Sequence, residues 1–204
     1  MVTKSLGFDV DGVIVDTYSE RNGFLAEMNR RKGTHYTFKD ITTYGMEKIF
    51  PITKAELIDI FASLDDTKLD LVDRNCPKVI DDLRSMGYEI ELVSAHIPTK
   101  TGGLEDLITC LDHHRINFDN ITFVDNANPN AKADMAHLFD YFLDDAPYHI
   151  KSVSPFTKGV LYLAPYNITE LVPYAYASVK DWIDFKELIY HDNAALRNIN
   201  KRRK

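Results

Sequence analysis

The sequence contains few cysteines and no long hydrophobic run, and each absence excludes a class of protein. Cys76 and Cys110 are the only cysteines and lack metal-type spacing, so we expect buried free thiols rather than a disulfide framework or a zinc site. No stretch approaches the roughly 20 apolar residues of a membrane-spanning helix. The first residues, MVTKSLGFDVDG, place acids where a signal peptide would have its apolar run. We therefore expect a cytoplasmic protein with no membrane partner.

Basic residues are too few for a general nucleic-acid-binding surface. The 204 residues include 24 Lys and Arg against 31 Asp and Glu, a formal net charge of −7. A protein that binds nucleic-acid polymers needs a clustered positive field, so we expect no such partner. A small anionic substrate is still compatible, because a bound cation and one or two basic residues can reverse the potential locally.

The order of apolar segments predicts an α/β fold with an insertion. The length suits one core domain and a modest insertion. Apolar runs typical of strands alternate with helical patterns, which indicates a parallel sheet with helices on both faces. The segment 17–75 breaks this alternation, because it contains only helical patterns. We interpret it as a small helical cap inserted after the first strand, with residues 1–16 and 76–204 forming the core. The predicted strands are 5–10, 88–94, 121–125, 139–143 and 159–164.

Two helix starts are specified by local sequence signals. Thr53 and Glu56 have the spacing of a capping box, in which each side chain bonds to the other's backbone. Pro77 is typical of the first turn of a helix, and Gly87 of its end. These signals predict one helix inside the insertion and another directly after it.

Two carboxylates, Asp9 and Asp11, lie where the first predicted strand ends. Ligands of open α/β sheets bind at the carboxyl ends of the strands. Like charges buried together are costly unless a cation or a proton joins them, and Mg²⁺ prefers carboxylates, a backbone carbonyl and waters. A solvated turn would also explain the pair. A calcium loop would not, because Val13, Ile14 and Val15 occupy the stretch that should supply oxygen ligands.

Further polar residues lie at the other element boundaries. Asp144 and Asp145 follow the apolar run 139–143. Alone they would be a turn or a helix cap, but with the first pair they supply three or four carboxylates for one metal ion. Ser94 ends another predicted strand, and Lys132 begins a predicted helix. Taken alone, Ser94 would be a hydroxyl in a turn and Lys132 a solvated surface lysine. Lys100 competes with Lys132 as the lysine of the site.

Taken in order, these motifs resemble those of the haloacid-dehalogenase (HAD) superfamily of phosphohydrolases, over residues 5–165. The resemblance implies a Rossmann-like core and a Mg²⁺-dependent phosphomonoesterase. It implies that Asp9 is the nucleophile, forming an aspartyl-phosphate, and that Asp11 is the general acid and base. The same resemblance gives the remaining roles. Ser94 and Lys132 would bind the phosphate, and the Mg²⁺ ligands would be Asp9, Asp11 and either Asp145 or Asp144.

Within that superfamily the sequence is similar to the 5′(3′)-deoxyribonucleotidases. These also carry a helical cap after the first motif, an acidic pair followed closely by proline, as in Asp144 to Pro147, and a late helix bearing a tryptophan, here Trp182. The resemblance implies a small phosphorylated substrate, specifically a nucleoside monophosphate, with Tyr44 and Thr17 as substrate-binding residues. A homodimer is compatible with it.

Two alternatives stay open at this point. The motifs specify the phosphate end of the substrate, so a sugar phosphate or another small metabolite could replace the nucleotide. A non-catalytic protein that binds a phospholigand could also keep the fold. The intact Asp9 and Asp11 argue against that alternative, because binding alone does not need an acid–base carboxylate.

Overall fold

The computed structural model describes residues 4–125, 128, 130–170 and 172–202, with side chains up to residue 195. In this part of the chain six parallel strands form one sheet in the order β3-β2-β1-β4-β5-β6. The strands are β1 (Lys4–Phe8), β2 (Tyr88–Ser94), β3 (Asn120–Phe123), β4 (Tyr141–Asp144), β5 (Lys158–Tyr162) and β6 (Ala177–Val179). The helices are α1 (Phe24–Lys32), α2 (Lys54–Phe61), α3 (Cys76–Ser85), α4 (Leu104–His113), α5 (Ala133–Ala136), α6 (Pro147–Val153) and α7 (Trp182–Arg202).

Helices cover both faces of this sheet, which confirms the predicted fold class. On one face, Leu6 and Phe8 of β1 join a buried cluster with apolar side chains of α3, α4 and α7. Trp182 packs edge-on against Phe8, with 5.0 Å between ring centroids. Gly7 faces the other side, where Phe142 would lie 2.5 Å from an added Cβ. That side is covered by α5 and α6.

The insertion after β1 has an apolar core of its own. It contains α1, α2 and three short 3₁₀ turns, Phe38–Asp40, Met46–Lys48 and Asp66–Lys68. Among the described residues, Tyr166, from the loop after β5, is the one buried member contributed from outside the insertion. Leu69, near the predicted end of the cap, belongs to the main core instead. The exact domain boundary therefore stays a prediction. The buried cluster of the insertion consists of Tyr18, Phe24, Leu25, Met28, Ile41, Met46, Phe50, Ile52, Ile60 and Tyr166.

Several elements differ from the sequence-based expectation. A helix was expected from residue 18, but α1 begins only at Phe24 because the Ser19 hydroxyl accepts the backbone N–H groups of Asn22 and Gly23 and stabilises a turn. The short strand β6 and helix α6 were not expected. Pro147 is the first residue of α6, so it is a helix start as well as the end of an acidic turn.

Two simpler expectations concern the thiols and the membrane. Cys76 and Cys110 are both buried and free. None of the helices in the described part of the chain is long and apolar enough to cross a membrane. The predicted capping box is present, since Thr53 and Glu56 each bond to the other's backbone N–H.

Candidate active site

The carboxyl ends of three adjacent strands bring the expected polar residues together. β1 lies between β2 and β4 in the sheet. Asp9 follows β1, Ser94 is the last residue of β2, and Asp144 is the last residue of β4. The edge of the sheet at this point opens into a cavity of about 470 Å³ that is lined on its other side by the inserted cap.

A tight turn after β1 positions the first two carboxylates. Asp9 N–H donates to the Leu143 carbonyl of β4 at 2.9 Å, which continues the sheet register by one residue. The Trp182 indole N–H donates to the Val13 carbonyl at 3.0 Å and fixes the far side of the turn. Gly12 has φ +77°, and a Cβ there would lie 2.4 Å from Oδ2 of Asp145. Only glycine fits this position.

Lys132 is a buried cation between two of the carboxylates. Its ammonium lies 2.7 Å from Oδ1 of Asp9 and 2.8 Å from Oδ2 of Asp144, and its side chain is 1% exposed. Burial favours the neutral amine, but Asp144 and Asp9 outweigh it and raise the pKa of Lys132. The competing Lys100 is 57% exposed and pairs with Asp59 of the cap. Of the two candidates, only Lys132 lies in this site.

One ammonium does not neutralise the carboxylates that surround it. Burial raises the pKa of Asp9 well above its ordinary value; Lys132 opposes this rise, and Asp144 and Asp145 increase it. Burial and the neighbouring Asp144 also raise the pKa of Asp145, to about 8. Burial likewise opposes ionisation of Asp144, but Lys132 and His149 outweigh it and lower the pKa of that carboxyl. A further cation would relieve this repulsion.

The residues present fit a divalent cation such as Mg²⁺. Among the described residues, Oδ1 of Asp145 is a buried oxygen without a hydrogen-bond partner, while its Oδ2 accepts the hydroxyl of Tyr166. Asp144 has both oxygens engaged, by Lys132, by His149 and by the backbone N–H of Ala146. Asp145 therefore offers the available ligand atom.

A second grouping of ligand atoms overlaps this one. Asp9, Asp144 and His149 each offer one ligand atom, and these three atoms lie within 4.8 Å of one another. The ammonium of Lys132 already bonds to both of these aspartates, and a metal ion there would be repelled by it. We therefore expect a metal ion to bind on the side of the site where Asp145 lies, and not within this second grouping.

His96 is a site residue that the sequence reasoning missed. Its Nδ1 lies 2.9 Å from Oδ1 of Asp11, and its Nε2 lies 2.6 Å from Oδ2 of Asp66. Burial alone would lower the pKa of His96, but Asp11 and Asp66 raise it to about 10. Ser94 donates its hydroxyl to Oδ2 of Asp11 at 3.1 Å. The only sequence signal that could have pointed to His96 was its position two residues after Ser94. No sequence signal pointed to Asp66.

Aromatic side chains form much of the cavity wall. Tyr44 lines the cavity, with ring centroids 5.3 Å from Tyr148 and 5.9 Å from Tyr166. Thr17 also lines it, but the residue is almost fully buried, and within the described residues its hydroxyl has no hydrogen-bond partner. Phe61 adds a further aromatic surface. The sequence reasoning included Tyr44 and Thr17 and missed the other three.

Comparison with known proteins shows the fold of the chain. No protein-family model and no curated protein sequence matches the chain. A haloacid dehalogenase-like hydrolase from Streptococcus pneumoniae has a similar structure, with a TM-score of 0.63, 16% identity, and coverage of 93% of this chain and 99% of that one. The chain thus has the fold of HAD-superfamily hydrolases.

Two further solved structures contain ligands. YfnB from Bacillus subtilis, which bears the name HAD-hydrolase and is bound to magnesium, has a TM-score of 0.60 and 15% identity, covering 94% of this chain and 98% of its own. CbbY from Rhodobacter sphaeroides, in complex with phosphate, has a TM-score of 0.54 and 16% identity, covering 89% of this chain and 95% of its own. At these identities the likeness shows the fold alone.

Proposed function

We propose that the protein is a Mg²⁺-dependent phosphomonoesterase with Asp9 as its nucleophile. The observation that carries this proposal is the position of Asp9 in the lining of the cavity, bonded to the buried Lys132. Among the described residues, the nearby acidic pair also has a buried Asp145 oxygen without a hydrogen-bond partner. A phosphate ester is an anion, so a carboxylate can attack it only where cations offset the repulsion. Lys132 supplies one of these cations, and a bound divalent ion would supply the other.

The residues have separate tasks in this reaction. Asp9 attacks phosphorus and forms an aspartyl-phosphate, while Asp11 gives a proton to the departing alkoxide. Asp11 then takes a proton from the water that hydrolyses the intermediate. Lys132 binds a non-bridging phosphate oxygen. Ser94 can do the same once its hydroxyl turns from Asp11 to the phosphate.

Asp9, the backbone carbonyl of Asp11 and Asp145 would hold the metal ion. Bound Mg²⁺ would neutralise negative charge on the phosphate and on the nucleophile. Asp144, in this arrangement, stays bonded to Lys132 and keeps its ammonium next to Asp9. The two members of the acidic pair thus have different roles, one toward the metal and one toward the lysine.

The cavity favours a nucleoside monophosphate as the substrate. Its volume of about 470 Å³ is in the range of small-molecule sites. The rings of Tyr44, Tyr148 and Tyr166 offer apolar, planar surface next to the phosphate end, which suits a base better than a sugar. The cytoplasmic location and the homodimer stay predictions.

The test is phosphate release from deoxy- and ribonucleoside monophosphates and from sugar phosphates, with Mg²⁺ and with EDTA. We expect metal-dependent release that favours nucleotides and is lost in Asp9→Asn. Asp112→Asn, an exposed change on α4, is the matched control and should keep full activity. Near wild-type turnover by Asp9→Asn would refute the nucleophile. A preference for sugar phosphates would keep the mechanism and replace the substrate, and binding of phosphate without turnover would favour the non-catalytic alternative.

A further inference from the structure

We propose that His96 and Asp66 are positioning residues that hold the carboxylate of Asp11 and link it to the inserted cap. This inference rests on the proposed function, because it concerns the group that protonates the leaving oxygen. It adds two residues to the site, and one of them, Asp66, comes from the insertion.

The histidine ring is clamped between two carboxylates. Nδ1 lies 2.9 and 3.1 Å from the two oxygens of Asp11, and Nε2 lies 2.6 Å from Oδ2 of Asp66. A carboxylate oxygen lies within hydrogen-bond distance of each ring nitrogen, so the ring is bonded at both ends. The His96 side chain is 5% exposed and that of Asp66 is fully buried. Charge-assisted bonds that water does not reach fix the ring orientation strongly.

Asp66 is itself held against the core. It begins the 3₁₀ turn Asp66–Lys68, and the carbonyl of the next residue, Leu69, accepts His114 Nε2 at 2.7 Å and the Cys110 thiol at 3.5 Å. Cys110 lies on α4, and His114 directly follows the end of that helix. The turn therefore cannot shift relative to α4 without breaking these bonds, and Asp66 is a fixed anchor for the ring.

A second set of bonds closes the network at Asp11. The backbone N–H of His96 donates to the Ser94 hydroxyl at 3.1 Å, and that hydroxyl donates to Asp11. When Ser94 turns toward a phosphate, His96 is left as the side chain that holds Asp11. A general acid must lie within hydrogen-bond reach of the leaving oxygen, and a displacement of about 1 Å costs on the order of 10² in rate.

Leaving groups distinguish this role from a structural one. An alkoxide, such as the 5′ oxygen of a nucleoside, is a poor leaving group and needs the proton of Asp11. Nitrophenolate is a stable anion and leaves without it. The hydrolysis of the intermediate also uses Asp11 but is the same for both esters, whereas kcat/KM covers only the steps up to departure of the leaving group. Loss of the clamp should therefore lower kcat/KM far more for the alkyl ester than for the nitrophenyl ester, whereas damage to the fold would lower both.

The experiment measures kcat and KM of the full chain with Mg²⁺, for a nucleoside 5′-monophosphate and for p-nitrophenyl phosphate. For His96→Ala we expect kcat/KM on the nucleotide to fall roughly 10²-fold and on the nitrophenyl ester less than about threefold. Asp66→Ala should show the same split at about tenfold. Asp66→Asn keeps an oxygen acceptor for Nε2 and should recover most of the activity. Asp65→Ala, at the exposed neighbouring position that bonds to Lys68, is the matched control.

Equal losses of kcat/KM on both esters, or an unchanged kcat/KM in His96→Ala, would overturn the inference and leave the proposed function intact. A wild-type protein that hydrolyses neither ester would refute the proposed function and the positioning role together. NMR of the imidazole gives a readout without turnover. The Nε2 chemical shift of His96 should change in Asp66→Ala and stay unchanged in Asp65→Ala. An unchanged Nε2 shift in Asp66→Ala would overturn the clamp.

Discussion

The ammonium nitrogen of Lys132 lies 2.7 Å from Oδ1 of Asp9, in the interior of the protein. Removing it leaves Asp9 and Asp144 as buried carboxylates without their cation, and an uncompensated buried charge costs about 3–5 kcal/mol. We expect Lys132→Ala to lower the free energy of unfolding by about 3 kcal/mol and kcat by roughly 10²–10³. Urea unfolding and phosphate release measure the two effects separately.

Lys100→Ala is the matched control for this prediction. Lys100 also pairs with an aspartate, Asp59, but both side chains are solvent-exposed. Exposed ion pairs contribute less than about 1 kcal/mol, so neither stability nor kcat should change appreciably. A catalytic loss in Lys100→Ala together with normal activity in Lys132→Ala would show that the phosphate-binding lysine has been assigned wrongly.

Gly12 should be far less tolerant of substitution than Gly33. Both have positive φ, +77° and +64°, so alanine introduces similar backbone strain, roughly 1–2 kcal/mol. At Gly12 the added Cβ also lies 2.4 Å from Oδ2 of Asp145 and 2.8 Å from the Tyr166 hydroxyl, whereas at Gly33 it meets nothing within 4 Å. We expect Gly12→Ala to abolish most Mg²⁺-dependent activity and Gly33→Ala to retain it at slightly reduced stability. Equal activities would mean that the turn can shift away from Asp145.

The sequence was informative wherever the signal was local. The capping box of Thr53 and Glu56 needs only one turn of helix, and it is present. Asp9, Ser94 and Asp144 were expected at strand ends because parallel strands bring their carboxyl ends to one edge, and the structure places them there. The spacing of motifs along the chain was sufficient for these features.

The remainder of the site depends on contacts between distant segments. His96 meets Asp66 across 30 positions of sequence, and Tyr166 meets Asp145 across 21. A lone histidine after a strand and a tyrosine in a loop have no pattern that specifies their partners. The path of the inserted cap over the sheet edge decides the first contact, and the path of the loop after β5 decides the second. Periodicity predicts helices and strands without predicting either path.

Metal-induced stabilisation can show which member of the acidic pair, Asp144 or Asp145, binds the metal ion. A ligand at 100 times its Kd raises the free energy of unfolding by about 2.7 kcal/mol. We expect Mg²⁺ to raise the melting temperature of the wild type and of Asp144→Asn, but not of Asp145→Asn, because Asp145 carries the oxygen without a partner. Asp144→Asn should begin from a lower stability, since Lys132 loses a charged partner. A Mg²⁺ shift that disappears only in Asp144→Asn would assign the metal to the other carboxylate.

Tyr166 should affect metal affinity through Asp145. Its hydroxyl donates to Oδ2 of that carboxylate, and partners that orient a metal ligand are worth roughly 10–100-fold in affinity. Tyr166→Phe should weaken Mg²⁺ binding by that factor in a calorimetric titration, while the ring keeps its packing. Tyr141→Phe removes a similar hydrogen bond, to Asp192, and should leave Mg²⁺ binding unchanged. If both variants bind Mg²⁺ like the wild type, Asp145 does not depend on this bond or is not a ligand.

Tyr44 is expected to select the substrate and to contribute little to chemistry. Its ring lines the cavity between Tyr148 and Tyr166, so Tyr44→Ala removes stacking surface worth about 1–3 kcal/mol per base. We expect KM for nucleotides to rise about 10-fold or more, while sugar phosphates are little affected. Tyr36 of the same cap packs against Phe50 and is not among the residues that line the cavity. Tyr36→Ala therefore controls for general damage to the cap, and an equal rise in KM in both variants would place the base-binding surface elsewhere.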